Sequence, residues 1–194
     1  SDSTNNYTYN QYKMNFSDNA FYNKTLIWVE KPEYKINDYF TEISIPILIN
    51  PTTLPFKEKI KLSYRTSNCE NCAFYQYNTI KENWVYSSTD YKNNLFNTEI
   101  TSGGIFAILK ETIKPKIYNL IPTPNSKYKQ KDITKIKFNV DDEESGVNEK
   151  KIKILIDNQI LFYDYIDYRK LTIAELDTLL SPGKHSIEIL VYDN

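Results

Sequence analysis

The chain has 194 residues, 24 basic and 25 acidic side chains, a net charge of −1 and 40% apolar residues. This length suits one large domain or two of about 100 residues, and the apolar share rules against a disordered chain. Charges of both signs are finely interspersed, which argues against a nucleic-acid interface; the densest basic stretch, Lys127 to Lys137, is broken by Asp132 and apolar residues. No run of 18 apolar residues exists, so no transmembrane helix is expected.

The N-terminal residues 1–13 are polar and tyrosine-rich and read as a linker or a lone strand. From there short apolar runs alternate with turn residues. Phe21 with Leu26 to Val29 gives one strand, Ile43, Ile45, Ile47 and Ile49 alternate in a second, and Ile60, Leu62 and Tyr64 mark a third. Pro46 demotes the second run to an edge or a bulge, because proline donates no ladder hydrogen bond. Ala73 to Tyr77, Trp84 to Ser87, Leu95 to Ile100 and Gly104 to Leu109 continue the spacing. Strands at this interval without a sustained helical period predict a β-sandwich over 14–112.

The proline-bearing ETIKPK stretch, with Pro122 and Pro124 beyond it, predicts a stiff connector into a second domain over 113–194. Its strands are expected at Ile133 to Val140, Lys151 to Ile156, Ile160 to Tyr165, Tyr168 to Ile173 and His185 to Tyr192. One stretch, Thr172 to Leu180, reads as a short helix in which Thr172 caps and Glu175 completes a capping box. The predicted fold class is all-β: two tandem antiparallel β-sandwich domains, the second immunoglobulin-like.

Candidate chemistry is sparse. Cys69 and Cys72 form a CxxC within RTSNCENCAFY. Zinc would need two further soft ligands, and the sequence offers only the distant His185. Redox chemistry would need a helix N-terminus at the first cysteine, where turn residues stand instead. The expected state is a short disulfide closing a hairpin tip in an exported protein, or else two free thiols. The acidic turn beginning at Asp141 and Asp142 is a candidate calcium site if Asp157 or Asp193 converges on it; the alternative is a solvated turn with Gly146 at positive φ. His185 and Ser186 are adjacent on a strand and point to opposite faces, so they do not pair as base and nucleophile. Seventeen tyrosines, clustered as Tyr7, Tyr9, Tyr12 and as Tyr163, Tyr165, Tyr168, are candidate sugar-stacking faces or cross-strand core pairs. Asn6, Asn15 and Asn23 begin sequons that an asparagine-rich chain produces by chance.

Several phrases together resemble the tandem domains that follow the peptidase in Bacteroidetes members of the LytM/lysostaphin-type zinc endopeptidase family. The first is Asn19-Ala20-Phe21-Tyr22, followed by Asn83-Trp84-Val85-Tyr86. Gly104, Phe106, Ile108, Leu109, Glu111, Thr112, Pro115 and Ile117 approximate that family's strand and linker, with Glu111 where aspartate is usual. Asp141, Asp142, Ser145, Gly146 and Val147, then Ile156-Asp157-Asn158, then Gly183 to Asp193, match the second domain's turn and strand markers. The resemblance implies an exported segment of a cell-envelope protein, acting as spacer or binding module for peptidoglycan or glycan. A single histidine cannot supply that family's zinc ligands, so no catalysis, cofactor or peptidase site is expected within these residues. Two other functions stay open: a glycan-binding module, and a surface filament or sheath subunit whose residues 1–13 complete a neighbouring subunit's sheet.

Overall fold

The computed structural model describes residues 4–67 and 69–194; the first three residues of the expected N-terminal segment, and Asn68 of the CxxC turn, lie outside the described residues. The fold is all-β with antiparallel pairing throughout, and the described residues contain three 3-10 turns and no α-helix. The chain divides into two compact units, Ser1–Thr112 and Ile113–Asn194.

The first unit begins with a tight hairpin. β1 (Thr4–Tyr9) pairs along its whole length with β2 (Tyr12–Ser17), Tyr9 opposite Tyr12, leaving Asn10 and Gln11 as the turn. Of the linker and the strand expected over residues 1–13, Thr4–Tyr9 is thus a strand, paired within its own sheet, and the observation that favoured its donation to a neighbour is gone. Next come β3 (Trp28–Glu30), β4 (Phe40–Glu42), β5 (Ile47–Asn50), β6 (Pro55–Arg65), β7 (Cys72–Asn78), β8 (Asn83–Ser87), β9 (Asp90–Lys92), β10 (Leu95–Ser102) and β11 (Gly104–Glu111). They form one sheet in the order β1-β2-β6-β10-β9 and another in the order β3-β5-β11-β7-β8, with β4 also on β11.

The run around Pro46 splits into β4 and β5 along the same edge of β11, and the Ile43 and Ser44 amides both donate to the Ile108 carbonyl. That irregularity turns Ser44 inward, where the Tyr12 hydroxyl of the first sheet meets its Oγ and the Ile108 amide of the second donates to it at 2.7 Å. One buried hydroxyl thus joins both sheets. Met14, Ile60, Leu62 and Phe96 from the first sheet share a core with Ile47, Ile49, Phe74, Phe106 and Ile108 from the second. At about 25 cal/mol per Å² of apolar surface removed from water, such fully buried side chains each contribute about 1.5–3 kcal/mol.

The second sheet is buried on its other face too. A second core lies there, of Tyr75, Tyr77, Trp84, Ala107 and Leu109, with Phe40 on Tyr75 and with Tyr34 and Lys35, from the irregular stretch 31–39, on Trp84 and Tyr77. Tyr34 packs edge-on to Trp84 at 5.8 Å, the Trp84 indole donates to the Lys35 carbonyl at 2.9 Å, and the Lys35 amide donates to the Tyr77 hydroxyl at 3.2 Å. Burial on both faces explains why β11 reads GIFAILKE, almost continuously apolar, while the lower part of β6 alternates.

The second unit contains β12 (Lys116–Ile121), β13 (Lys135–Asp141), β14 (Lys153–Ile156), β15 (Gln159–Leu161), β16 (Asp164–Ile166), β17 (Leu171–Glu175) and β18 (Ile187–Leu190). They form sheets in the orders β12-β13-β17-β16 and β15-β14-β18. Ile136, Phe138, Val140 and Ala174 of one pack with Ile152, Ile154 and Ile156 on the other side of the core.

The helix expected over Thr172 to Leu180 is absent; its first four residues are in β17 and the rest is loop. Thr172 and Ala174 sit opposite Phe138 and Ile136 and are both fully buried. Placing that two-residue alternation in the core outweighs a capping signal that acts over a single turn.

Candidate functional site

The acidic turn follows directly from β13. Asp142 Oδ1 accepts the Glu144 amide at 3.0 Å and the Gly146 amide at 3.1 Å, while Gly146 takes φ +80°, a conformation open to glycine. The last residues of the chain close over it: Val147 bridges to Asp193, and the Asn194 side chain donates to the Ser145 and Gly146 carbonyls, each at 3.0 Å. Burial, and after it the nearby like charges, shows in the titration of the neighbours. Burial and then the Asp142 charge hold Asp193 above the ordinary carboxylate range, and burial with Asp142 and Glu143 does the same for Glu144.

Of the candidate calcium ligands, Asp193 does converge on the turn, with a carboxylate oxygen within 4.8 Å of Asp142, whereas Asp141 and Asp157 are not assembled with them. Asp141 faces Lys170 at 3.8 Å, Asp142 is engaged by backbone amides, and Asp157 belongs to the β14–β15 turn, where it meets His185. Among the described residues no group of three potential ligand atoms within 4.8 Å of one another contains Asp141 or Asp157. The spacing of acidic residues along the sequence carried no information on this, because Asp157 lies across a core from the turn's own strand.

His185 stands just ahead of β18. Its Nδ1 is 2.5 Å from Asp157 Oδ2 and its Nε2 is 2.8 Å from the Ser181 carbonyl. Both ring nitrogens face acceptors, an arrangement that only the doubly protonated imidazolium satisfies in full. The hydrogen bond to Asp157, then that to Ser181, holds the ring above the usual histidine range; the same contact with His185, then the Ser186 amide, holds Asp157 below the usual carboxylate range. Ser186 directs both its amide (2.8 Å) and its hydroxyl (3.4 Å) to Asp157 Oδ1. The three residues mimic the composition of a hydrolytic triad, but the wiring differs: the serine bonds to the carboxylate, and Nε2 is capped by a carbonyl. The cluster clasps the loop ahead of β18 to the β14–β15 turn.

Cys69 and Cys72 are bonded to each other with Cα atoms 5.7 Å apart, inside the ordinary disulfide range. The bond pins the turn between β6 and β7, where Asn71 takes φ +57°; these strands belong to different sheets, so the turn is a sheet-to-sheet connection and not the expected hairpin tip. No helix follows to activate a thiolate.

The tyrosine clusters also separate. Tyr12 is buried and Tyr9, Tyr163 and Tyr165 pack against cores, leaving Tyr7 and Tyr168 as the exposed members. No stacking face is formed by either triplet.

Sequence reasoning passed over a depression at one end of the first sheet, lined by Gln11, Arg65, Thr66, Ser67 and Asn94. Strand register brings them together. Tyr12 is opposite Tyr64 and Leu95 is opposite Arg65, so the β1–β2 turn and the β9–β10 turn flank the upper end of β6. The β9–β10 turn is Asn93-Asn94, with φ +54° and +59°, the left-handed pair that a two-residue hairpin needs. The Tyr91 hydroxyl donates to Asn94 Oδ1 at 2.9 Å, a contact that does not use the donors of the Asn94 NH₂. Among the described residues, the side chains of Gln11, Arg65, Thr66 and Ser67 make no hydrogen bond or ion pair. The one signal in the sequence was the Asn-Asn turn; the convergence of three separate turns on Arg65 is a property of the pairing.

Comparison with known proteins found no matching family model, no matching curated protein and no matching solved structure.

Proposed function

We propose that the chain is a non-catalytic β-sheet segment of an exported bacterial cell-envelope or surface protein, serving as spacer and binding module, in keeping with its resemblance to the accessory domains of LytM-type peptidases. The observation that carries this reading is the half-buried Cys69–Cys72 bond in the turn that leads from one sheet of the first unit to the other. Disulfides of this kind persist in oxidising compartments and are rare in the reducing cytosol. The groups that most often do chemistry at neutral pH support the same reading. Both thiols are bonded, and the imidazole is held on both nitrogens by structural acceptors.

The test is sedimentation with purified, insoluble peptidoglycan, alongside intact-mass measurement after alkylation without reductant. The expected result is co-sedimentation that saturates with added chain, no release of soluble fragments from the wall, and no alkylated cysteine. A chain that stays in the supernatant with two alkylated thiols would sink both the binding role and the export reading.

A further inference from the structure

We propose that the depression at the Arg65 end of the first sheet binds a carboxylate-bearing saccharide; this rests on the binding-module reading and names the ligand class. The lining is polar throughout, and its one charged member is a cation. A guanidinium presents a planar fork of donors that matches a carboxylate in two parallel hydrogen bonds, a geometry a point-charge ammonium does not offer. Around it stand the groups that pair with sugar hydroxyls: the amides of Gln11 and Asn94 and the hydroxyls of Thr66 and Ser67. A neutral sugar would leave the strongest donor without a partner. A phosphate dianion would meet one cation and four neutral groups, whereas a single carboxylate among hydroxyls uses the whole set.

Three features preorganise this lining, which lowers the cost of ordering it on binding. Tyr91 stacks on Phe96 with ring centroids 4.3 Å apart and fixes the Asn94 amide through its hydroxyl. The Thr66 amide donates to the Asn94 carbonyl at 3.2 Å, tying the β6 end to the β9–β10 turn. The Cys69–Cys72 bond restrains the turn that continues from Ser67. Beyond the lining, Lys92 lies in the same cross-strand row as Arg65, through Leu95, and adds to the positive potential at that edge; Asp90 lies two residues further along β9.

The test titrates the ¹⁵N-labelled full chain with galacturonic acid oligomers, followed by amide chemical shifts. Shift changes are expected at Gln11, Arg65 to Ser67 and Asn93-Asn94, with neutral galactose oligomers of equal length binding about tenfold or more weakly. Arg65→Gln is expected to weaken binding by about tenfold or more, as loss of a charge-assisted pair does, and rising salt to weaken it progressively. Lys153→Gln, in the other unit, is expected to leave binding unchanged. Unaltered amide spectra for the variants elsewhere in the chain establish that they fold.

Equal affinity in Arg65→Gln, no shifts with the acidic oligomers, or the same shifts with inorganic phosphate would each overturn the proposal. Absence of galacturonate shifts while the chain still sediments with peptidoglycan overturns the site and leaves the module reading standing. Galacturonate shifts without sedimentation do the reverse.

Discussion

His185 is the only histidine in the chain, so its ring resonances report one titration without overlap. Its pKa is raised by Asp157 and the Ser181 carbonyl, and a raised folded value means stability that is fully present below the unfolded pKa of about 6.5 and lost as pH climbs through the folded value. Asp157 is lowered, so its share is present above the unfolded value of about 3.9 and lost as pH falls through its folded value. The clasp therefore holds between the lowered Asp157 pKa and the raised His185 pKa. Thermal midpoints of the parent and of His185→Asn, measured across pH, are expected to differ most within that window and to converge above it. In Asp157→Asn the ring pKa should fall toward its ordinary value. A second residue-scale prediction concerns Gly103, where an added Cβ would run into the Ile49 and Pro51 carbonyl oxygens, both backbone. Gly103→Ala is expected to cost about 1–3 kcal/mol or more in urea unfolding, as overpacking against atoms that cannot rotate away does. Neither the clasp nor the Gly103 contact was legible in the sequence, because each joins atoms brought close only by the pairing of distant strands.

At the scale of elements, the strands with a clean period of two were the legible ones. Ile136, Phe138 and Val140 on β13 and Ile152, Ile154 and Ile156 around β14 read inward and are buried. Pro46 marked a break because proline's missing amide acts wherever the chain runs. What escaped was decided by neighbours. Thr172 to Glu175 carried a local helix-start signal and went into a sheet, and residues 31–39 carried no period at all yet contribute to an aromatic core. Two predictions belong here. Phe74→Ala, at a fully buried position of β7, should lose about 3–5 kcal/mol in chemical denaturation. Replacing both cysteines by serine should lose about 2 kcal/mol, the chain-entropy value for so short a loop, and should leave the far-UV spectrum unchanged.

For the whole molecule, each unit has its own apolar centre: Ser1–Thr112 holds the clusters around Phe74 and Tyr75, and Ile113–Asn194 the cluster around Phe138. Fragments 1–112 and 113–194 are expected each to give dispersed amide spectra and a cooperative transition of their own; a collapsed spectrum for either would show that its core is insufficient alone. The all-β class was legible from tyrosine, isoleucine and threonine in short alternating runs, while the candidate binding depression was not, since its five residues are drawn from three turns and the end of β6. The burial of β11 on both faces has a consequence for how this chain tolerates change over generations. A strand covered on one side can drift at every other position, whereas one enclosed on both has no position at which variation is free. A saturation library selected for folding should therefore show a two-residue rhythm of tolerated replacements along β13 and near-uniform depletion from Ile105 to Leu109, making that short stretch the slowest-changing text in any lineage that carries this fold.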